Sequence, residues 1–337
     1  MKRKTIYDVA SEAQVSISTV SRVINGKGYV SEETRKRVEK ACENYRPIAS
    51  AREIQSQKSK TIGIVINHET DYFFLNATFL NILRGIIAVT EKKGYRILLE
   101  SEKSDDDICN LYYECRVDGL IVIGCKMSST LISTLEEGKI PFVLIGDYKQ
   151  SNKISQVEID DRSSIYDATK YLINLGHKNI GIITGPLEYA SGYNRLEGYK
   201  EALKNEGISI RDEYIETCDN MTDIKVENLV KKLLYVSEKI TALIAFNDDV
   251  AISAYKAAQE LNIKVGEDIS IIGFDNDRIA SYINPTLTTI MQPSYEKGEH
   301  AANILIEALE KECLPTKREE LKGIMIYRDS CIELRRK

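Results

Sequence analysis

Residues 5–24 read TIYDVASEAQVSISTVSRVI, and this stretch predicts two short helices joined by a tight turn. Between Ile6 and Ala13, apolar residues recur at the spacing of one helical face. After the turn, Ser16 can cap a second helix, because its side-chain oxygen can accept a backbone N–H of the first turn. Ser31 can cap a third helix in the same way. The pattern is that of a helix–turn–helix unit.

The outward face of the second helix suits a DNA groove. Arg22 can fork onto guanine O6 and N7, Ser18 can bond base edges or phosphates, and Ile17 can touch a thymine methyl. Residues 1–60 carry 13 lysines and arginines against seven aspartates and glutamates, whereas the whole chain has a net charge of −5. A basic segment on an acidic body is typical of a nucleic-acid arm. An ordinary packing module with Ile17 in its core is the alternative.

The run DVA-x₄-VS-x₂-TVSRVIN, from Asp8 to Asn25, resembles the headpiece of the lactose/galactose repressor (LacI/GalR) family. The resemblance implies a DNA-binding headpiece over residues 1–45 and double-stranded operator DNA as its partner. The residues predicted to contact DNA are Thr5, Ser16, Ile17, Ser18, Thr19, Ser21, Arg22, Asn25, Thr34, Arg52 and Ile54.

Residues 46–60 form a connector. Proline disfavours helical geometry at the residue before it, so Pro47 is expected to end the third helix. By resemblance, residues 49–54 form a hinge helix in which Ile54 wedges into the minor groove and Arg52 lies along the phosphates. The third helix is shorter than the family pattern, and Ile54 replaces the usual leucine. A flexible linker is the alternative for this segment.

From Thr61 onward, apolar runs alternate with helical patterns, which is typical of βαβ units and a parallel sheet. Continuous apolar runs predict buried strands at 62–66, 96–99, 120–123, 142–145, 180–183, 242–246, 269–272 and 287–290. Helices are predicted at 75–93, 163–175, 195–206 and 249–261. We therefore expect an α/β body of two parallel-sheet subdomains. By resemblance it is periplasmic-binding-protein-like, with an N-subdomain (61–160 and 291–320) and a C-subdomain (161–290 and 321–337).

Cysteine and hydropathy patterns exclude several classes of protein. The seven cysteines include no C-x-x-C pair, and the chain has three histidines, which argues against zinc and for reduced thiols in a cytosol. Lys2 to Lys4 lead into a predicted helix rather than into the apolar core of a signal peptide. No apolar run approaches the ~18 residues of a membrane span. We expect a cytoplasmic protein with no membrane partner.

Ligands of open parallel sheets bind at the carboxyl ends of the strands. The candidate effector contacts that follow the predicted strands are Asp71, Tyr72, Phe73, Phe74, Asp147, Asp160, Arg195, Asn247, Asp248, Asp275 and Gln292. Carboxylates, amides and an arginine can pair with hydroxyls, while an aromatic ring covers the apolar face of a sugar. The family resemblance agrees with most of these positions. Asp71-Tyr72-Phe73-Phe74 replaces the common Asn-Pro-Phe-Phe, and Asp160-Asp161 replaces Asp-Asn.

Some candidates have a purely structural alternative. An aspartate after a strand often only caps the next helix, and for Asp161 or Asp249 alone we favour that role. Phe73 and Phe74 can belong to the core, with only one of them facing the ligand. Arg195 is the strongest single candidate, since one guanidinium can bind two hydroxyls in fork geometry.

No catalytic constellation is evident in the sequence. The chain lacks a G-x-G-x-x-G after the first strand, a P-loop and a G-x-S-x-G motif. The carboxylates could mimic a glycosidase pair, but they fall on two subdomains without an acid/base partner. We therefore expect no enzyme activity, no catalytic residue, no metal and no cofactor.

The residues and the resemblance together predict a homodimeric repressor that binds a palindromic operator and is released by a small effector. The wording YDATKYLINLGHK at 166–178 resembles maltose-type regulators of the family, which implies an α-glucoside as inducer. A phosphorylated partner protein or a purine corepressor is the alternative means of control. A sugar-binding sensor without DNA function is the alternative for the whole chain. Without a leucine-heptad tail, we expect a dimer rather than a coiled-coil tetramer.

Overall fold

A computed structural model describes residues 6–16, 19–20, 23, 30–42, 58–66, 74, 76–101, 104–124, 126–127, 129–148, 153–218, 223–236 and 238–334. The chain divides into two compact units. One comprises Met1–Ser59 with Tyr113–Cys115, and the other comprises Lys60–Tyr112 with Arg116–Lys337.

The first unit contains helix α1 (Ile6–Glu12), helical residues at 19–20 and 23, and helix α2 (Glu32–Ala41). Ser16 Oγ accepts the backbone N–H of Thr19 at 3.2 Å, and Ser31 Oγ accepts that of Thr34 at 3.3 Å. Both predicted helix caps are therefore confirmed. The buried core of this unit comprises Val9, Ala10, Ala13, Val20, Val38 and Ala41.

The second unit alternates strands and helices along the chain. Its helices are α3 (Ala77–Lys93), α4 (Asp105–Tyr113), α5 (Thr130–Glu137), α6 (Asp161–Asn174), α7 (Ala190–Asn205), α8 (Asp223–Leu234), α9 (Asp248–Glu260) and α10 (Ser294–Glu310). Its strands are β1 (Thr61–Ile66), β2 (Arg96–Ser101), β3 (Gly119–Ile123), β4 (Phe142–Ile145), β5 (Ser155–Ile159), β6 (Ile180–Thr184), β7 (Ile215–Thr217), β8 (Ala242–Ala245), β9 (Ser270–Asp275), β10 (Thr288–Met291), β11 (Arg318–Leu321) and β12 (Ile324–Ile326). Short 3₁₀ turns occur at Asp212–Tyr214 and Arg278–Ser281.

In the described part of the chain, the strands form two six-stranded sheets. The first has the order β11-β5-β4-β3-β1-β2, with all neighbours parallel. The second has the order β12-β10-β9-β8-β6-β7 and is parallel except for β12, which runs antiparallel to β10. We call the first sheet with α3, α4, α5 and α10 the first lobe, and the second sheet with α6 to α9 the second lobe. This arrangement confirms the predicted α/β fold class.

The continuous apolar runs are explained by helices on both faces of the sheets. In β3, Ile121 packs with Ile86 of α3 and Leu305 of α10. Leu120, its neighbour in sequence, packs on the opposite face with Leu135 of α5. Successive side chains of a strand point to opposite faces, so a strand covered on both sides needs apolar residues throughout.

Each lobe is assembled from separate segments of the chain. Within the described residues, the chain passes between the lobes at three places: from β5 to α6, from β10 to α10 and from β11 to β12. At each of these places it leaves a strand at its carboxyl end. The polar residues next to these passages therefore lie close to both lobes.

Two expectations about individual elements are wrong. The run at 96–99 is not buried, because β2 lies at the edge of the first sheet and its residues are half-buried or exposed. Arg195 does not open its helix: α7 begins at Ala190, which puts Arg195 in the second turn. The chain turns into the helix early because the N–H of Tyr189 donates to Pro186 O at 3.1 Å.

The described ranges contain no helix with both the length and the apolarity needed to cross a bilayer. In the same ranges, no group of three or more histidine, cysteine, aspartate and glutamate side chains is arranged to hold a metal ion.

Candidate ligand-binding site and nucleic-acid interface

A cavity of about 140 Å³ lies between the two lobes, at the carboxyl ends of their strands. In the first lobe, its lining comes from the start of α3 and from residues at or after the ends of β3, β4 and β5. In the second lobe, it comes from residues at or after the ends of β6, β8, β9 and β10. The charged and amide side chains in its lining include Asp147, Glu158, Asp161, Arg195, Asn247, Asp275, Gln292 and Lys297. The strand-end rule therefore locates the cavity.

Arg195 is held rigidly in the wall of this cavity. Its Nε donates to Asp161 Oδ1 at 2.7 Å, and its Nη1 donates to the backbone carbonyl of Phe246. The guanidinium carbon lies 3.5 Å from the ring centroid of Phe274, within cation–π range. The whole residue is only 5% exposed. These contacts fix the direction of the guanidinium before any ligand arrives.

Two donor nitrogens on this side of the cavity stay available. Asn247 caps α9 by accepting the N–H of Val250 on Oδ1 at 2.9 Å, which leaves its Nδ2 as a donor. Among the described residues, neither Asn247 Nδ2 nor Arg195 Nη2 donates a hydrogen bond. Within the same residues, Tyr95 Oη is the one side-chain polar atom that is fully buried and has no hydrogen bond. Asn247 Nδ2 and Arg195 Nη2 have no hydrogen bond either, so they must be accessible from the cavity. They can donate to acceptor oxygens of a ligand.

A pair of carboxylates lines the other side of the cavity. Gln156 Nε2 donates to Glu158 Oε1 at 2.8 Å and to Asp147 Oδ1 at 3.4 Å, and so links the two acids. Arg318 Nη2 approaches them only at 3.9 Å from Asp147 and 3.7 Å from Glu158. Burial, and then the charge of Asp147, raise the pKa of Glu158 to about 7. Glu158 is therefore shifted toward its protonated form beside Asp147.

A third polar cluster joins the end of β9 to the start of α10. Gln292 Nε2 donates to Asp275 Oδ1, and Lys297 Nζ donates to Gln292 Oε1 at 3.2 Å. Desolvation raises the pKa of Asp275 to about 7 and lowers the pKa of Lys297. Gln292 thus connects an acid of the second lobe with a lysine of the first.

Other contacts also cross between the lobes. Asn194 Nδ2 of α7 donates to Asp147 Oδ2 at 3.1 Å. The N–H of Met127 donates to Glu188 O at 2.8 Å, and Lys126 Nζ lies 2.8 Å from Glu188 Oε1. The lobes therefore touch on the ligand side of the strands, where a ligand can alter their separation.

Asp160 and Asp248 do not line the cavity. Asp160 caps α6, where its carboxylate accepts the N–H of Ser163 at 2.9 Å. Asp248 is fully buried and accepts Thr289 Oγ1 at 2.6 Å and the N–H of Asp277 at 2.7 Å. Burial, and then the charge of Asp275, raise the pKa of Asp248 to about 8.

The capping roles favoured for Asp161 and Asp249 are wrong. The cap of α6 is Asp160 and the cap of α9 is Asn247, one and two residues earlier. A cap must precede the first helical N–H groups that it accepts, whereas α6 begins at Asp161 itself and α9 begins at Asp248, one residue before Asp249. Asp161 instead turns toward Arg195.

Of the predicted DNA contacts, the structure describes Ser16, Thr19 and Thr34, which lie at the starts of the second and third helices. Ser16 Oγ lies 2.8 Å from Thr19 Oγ1, and Thr34 Oγ1 accepts from Ser31 Oγ at 2.8 Å. On the exposed side of α2, Arg37 Nη2 also donates to Thr34 Oγ1, at 3.5 Å. The predicted contacts that lie outside the described residues are Thr5, Ile17, Ser18, Ser21, Arg22, Asn25, Arg52 and Ile54.

Known proteins match the chain over nearly its whole length. The family model of the lacI family of bacterial regulatory proteins matches residues 5–47, and that of the periplasmic binding protein-like domain matches residues 169–331. Catabolite control protein A of Priestia megaterium is 35% identical over 97% of this chain and 98% of its own length. The chain belongs to the LacI family. The HTH-type transcriptional repressor PurR of Aliivibrio salmonicida (strain LFI1238), also 35% identical, covers 90% of the chain and 92% of its own length.

Solved structures of LacI-family proteins share the fold. The complex of the transcriptional regulator CelR with cellobiose superposes with a TM-score of 0.76, 26% identity and coverage of 98% of this chain and 100% of that one. The lac repressor dimer bound to operator and the anti-inducer ONPF gives a TM-score of 0.72, 25% identity and the same coverage. Family membership confirms the prediction of a DNA-binding transcriptional regulator with a helix–turn–helix domain.

The structure brings together only some of the predicted effector contacts. Those lining the cavity are Asp147, Arg195, Asn247, Asp275 and Gln292. Phe74 is 45% exposed and is not among the lining residues. Asp71, Tyr72 and Phe73 lie outside the described residues.

Three charged residues of the lining were not predicted as ligand contacts. Both Glu158 and Asp161 lie next to the end of β5. The strand-end rule reached Asp161, for which we favoured a capping role, and could also have found Glu158. Lys297 lies in the first turn of α10, beyond the end of β10, and is only 8% exposed. No local sequence pattern distinguishes this lysine from one on a solvated helix face.

Proposed function

We propose that this LacI-family protein is a homodimeric repressor whose palindromic operator is released when a small sugar occupies the cavity between the lobes. One observation carries the proposal. The guanidinium of Arg195 is held in place by Asp161 and lines a cavity to which residues of both lobes contribute. The similar structures of CelR in complex with cellobiose and of the lac repressor dimer bound to operator and an anti-inducer support it. An α-glucoside is the inducer class that the sequence resemblance favours.

We assign each proposed function to a segment of the chain. Residues 1–45 read the operator, with Arg22 and Ser18 on base edges, and residues 46–60 form the hinge. Residues 61–160 with 291–320, and 161–290 with 321–337, form the two subdomains that hold the effector. The relatives are transcriptional regulators, and we propose that this chain likewise acts in the cytoplasm as a regulator rather than an enzyme.

The switch is proposed to act through the separation of the lobes. A ligand that bonds to Asp147 in one lobe and Arg195 in the other favours the arrangement in which both reach it. The contact between Asn194 and Asp147 and the contacts of Glu188 belong to that arrangement. Coupling free energies of such switches are about 1–3 kcal/mol per site, or roughly 5- to 150-fold in operator affinity.

Fluorescence anisotropy with DNA from the protein's own promoter tests the proposal. We expect tight, dimeric binding that weakens by orders of magnitude between about 50 and 200 mM salt. A panel of maltose, monosaccharides, sugar phosphates and purines should contain a sugar that releases the DNA. Release by a purine alone, or by none of the panel, would overturn the sugar-induced mechanism.

A second measurement tests the predicted headpiece contacts. Arg22→Ala should reduce the preference for operator over scrambled DNA by the ~1–3 kcal/mol of a bidentate base contact. Lys264→Ala, which removes the same charge from a side chain that is 68% exposed in the second unit, is the matched control and should leave the preference unchanged. Equal discrimination by both variants would contradict the role of Arg22.

A further inference from the structure

We propose that the effector is an acidic monosaccharide, a one-ring sugar whose carboxylate binds Lys297 and whose hydroxyls bind Arg195 and Asn247. This inference rests on the proposed function, because it assumes that the cavity between the lobes is the effector site. Within the described residues, all three side chains keep hydrogen-bond donors without an acceptor. A sugar acid supplies acceptors for all of them.

Lys297 contributes a buried amino group to the cavity. It is only 8% exposed and lines the cavity from the first lobe. Its Nζ donates to Gln292 Oε1 at 3.2 Å, and within the described residues it makes no other hydrogen bond and no ion pair. A protonated lysine has three donors, so two remain for a ligand. A buried cation without a paired anion is costly, so an anionic group of the ligand strengthens binding here.

The position of Lys297 in its helix also favours an anion. It lies in the first turn of α10, a helix of 17 residues, and the N-terminal end of a helix carries a partial positive charge. Pro293 at the N-cap contributes no side-chain hydrogen bond, and the acid of the same turn, Glu296, is exposed to water. The helix end therefore disfavours the ammonium alone and favours its pairing with a carboxylate.

The acids that surround Lys297 do not supply the missing counter-ion. Asp161 is already paired with Arg195 at 2.7 Å. Burial raises the pKa of Asp275 and of Glu158 to about 7, which shifts both carboxyls toward their neutral forms. The attraction of these acids is smaller than the effect of desolvation, which lowers the pKa of Lys297. A ligand carboxylate at Nζ would raise this pKa again and keep the ammonium charged.

The second lobe presents two further donors for the hydroxyls of the sugar. Asp161 Oδ1 occupies Arg195 Nε, and the carbonyl of Phe246 occupies Nη1, which leaves Nη2. Asn247 Oδ1 accepts the N–H of Val250, which leaves Nδ2. Arg195 and Asn247 are only 5% and 2% exposed, and buried donors without a partner are costly. The hydroxyl oxygens of a sugar can accept from both nitrogens.

Charge and size define the ligand further. A phosphate carries a charge of about −1.5 to −2 at pH 7, whereas one carboxylate matches the single ammonium of Lys297. The cavity volume of about 140 Å³ lies well below the roughly 300–1,000 Å³ of pockets that hold drug-sized ligands. A one-ring sugar with one carboxylate therefore suits the described arrangement of the lobes better than a sugar phosphate or a disaccharide does.

Isothermal titration calorimetry on the full-length protein tests the inference with three matched sets. Each set contains a hexose, its 6-carboxylate (the hexuronate) and its 6-phosphate, in the glucose, galactose and mannose series. In at least one series the hexuronate should bind about tenfold or more tightly than the hexose, because hydrogen bonds to charged groups are the stronger ones. The 6-phosphate should bind less tightly than the hexuronate in that series.

Variants assign the preference to Lys297. Lys297→Gln removes the charge but keeps an amide donor at this position, so the hexuronate should lose its advantage while the hexose still binds. Lys311→Gln is the matched control, because Lys311 follows the same helix, has a side chain that is 71% exposed and does not line the cavity. A Lys297→Gln protein that keeps the full preference would contradict the inference. The comparison of ligands on the wild-type protein tests the preference for an acid even if this variant does not fold.

Each remaining outcome separates this inference from the proposed function. A hexose or a 6-phosphate that binds at least as tightly as the hexuronate in all series overturns the assignment of a sugar acid. So does failure of all nine probes to bind a protein that still binds its operator, and the regulator itself then stands. A hexuronate that binds as expected but leaves operator affinity unchanged supports the site chemistry and overturns the effector-induced release.

Discussion

Replacing Arg195 with methionine should destabilise the second unit by about 3–5 kcal/mol, the usual cost of breaking a buried ion pair by removing one partner. Arg195 and Asp161 lie 2.7 Å apart with side chains only 7% and 8% exposed. At an effective dielectric constant of about 20, their Coulomb attraction is roughly 6 kcal/mol. The cost of removing both charges from water offsets much of this attraction. The free energy of unfolding that the Arg195→Met variant loses therefore comes mainly from the buried carboxylate of Asp161, which is left unpaired.

A double-mutant cycle isolates this contribution. Arg195→Met and Asp161→Asn should each be strongly destabilising, and the double variant should be less destabilised than the sum by at least about 2 kcal/mol, because no unpaired charge remains. The control cycle is Lys264 with Glu267, which lie 2.9 Å apart but are 68% and 67% exposed. Its coupling energy should stay below about 1 kcal/mol.

Urea denaturation followed by tyrosine fluorescence and far-UV circular dichroism measures both cycles, since the chain has 19 tyrosines and no tryptophan. Midpoints are compared for the transition of the second unit, with the slope checked for each variant. A buried pair that couples no more strongly than the exposed pair would refute the reasoning, because the two pairs differ mainly in burial.

Two further predictions concern stability. Burial lowers the pKa of His177 in the folded state, so the unfolded chain takes up this proton first and stability is lost as pH falls below about 6.5. The urea midpoint should therefore drop less between pH 7.5 and 5.5 in His177→Gln than in the wild type, and an equal drop would contradict this. Gly198→Ala would place a Cβ 2.2 Å from the backbone oxygen of Arg162, and the forced separation of α6 and α7 should cost about 1–3 kcal/mol. Thermal melting beside the exposed control Lys204→Ala measures this, and an unchanged melting temperature for Gly198→Ala would argue against close helix packing there.

Much of the architecture follows from local pattern. The caps at Ser16 and Ser31 and the run at 120–123 were readable from the sequence, because a cap is a neighbour effect and a doubly covered strand must be apolar at each position. The exception at 96–99 is instructive. This run is apolar like the run at 120–123, but its strand lies at the edge of the sheet. The order of strands in a sheet depends on contacts between distant segments, so it cannot be read from one segment.

The residues of the candidate site were likewise only partly predictable from the sequence. The strand-end rule led to Asp147, Arg195 and Asn247, which line the cavity. It also selected Asp160 and Asp248, whose carboxylates bond to backbone and hydroxyl groups beside their own helices instead. Adjacent residues at the start of a helix point in directions about 100° apart, since the helix has 3.6 residues per turn. A shift of one position therefore decides between a cap and a cavity wall.

The sequence by itself determined the family, the helix–turn–helix start, the alternation of strands and helices, and the strand ends at which polar groups gather. These depend on interactions between residues close along the chain, which repeat with a fixed period. Only the tertiary structure decided that Asp161 clamps Arg195, that Glu158 shares its site with Asp147, and that Lys297 lies beside Gln292. The charge balance of a cavity depends on distances between segments far apart in sequence, and those distances are set by how the two lobes pack.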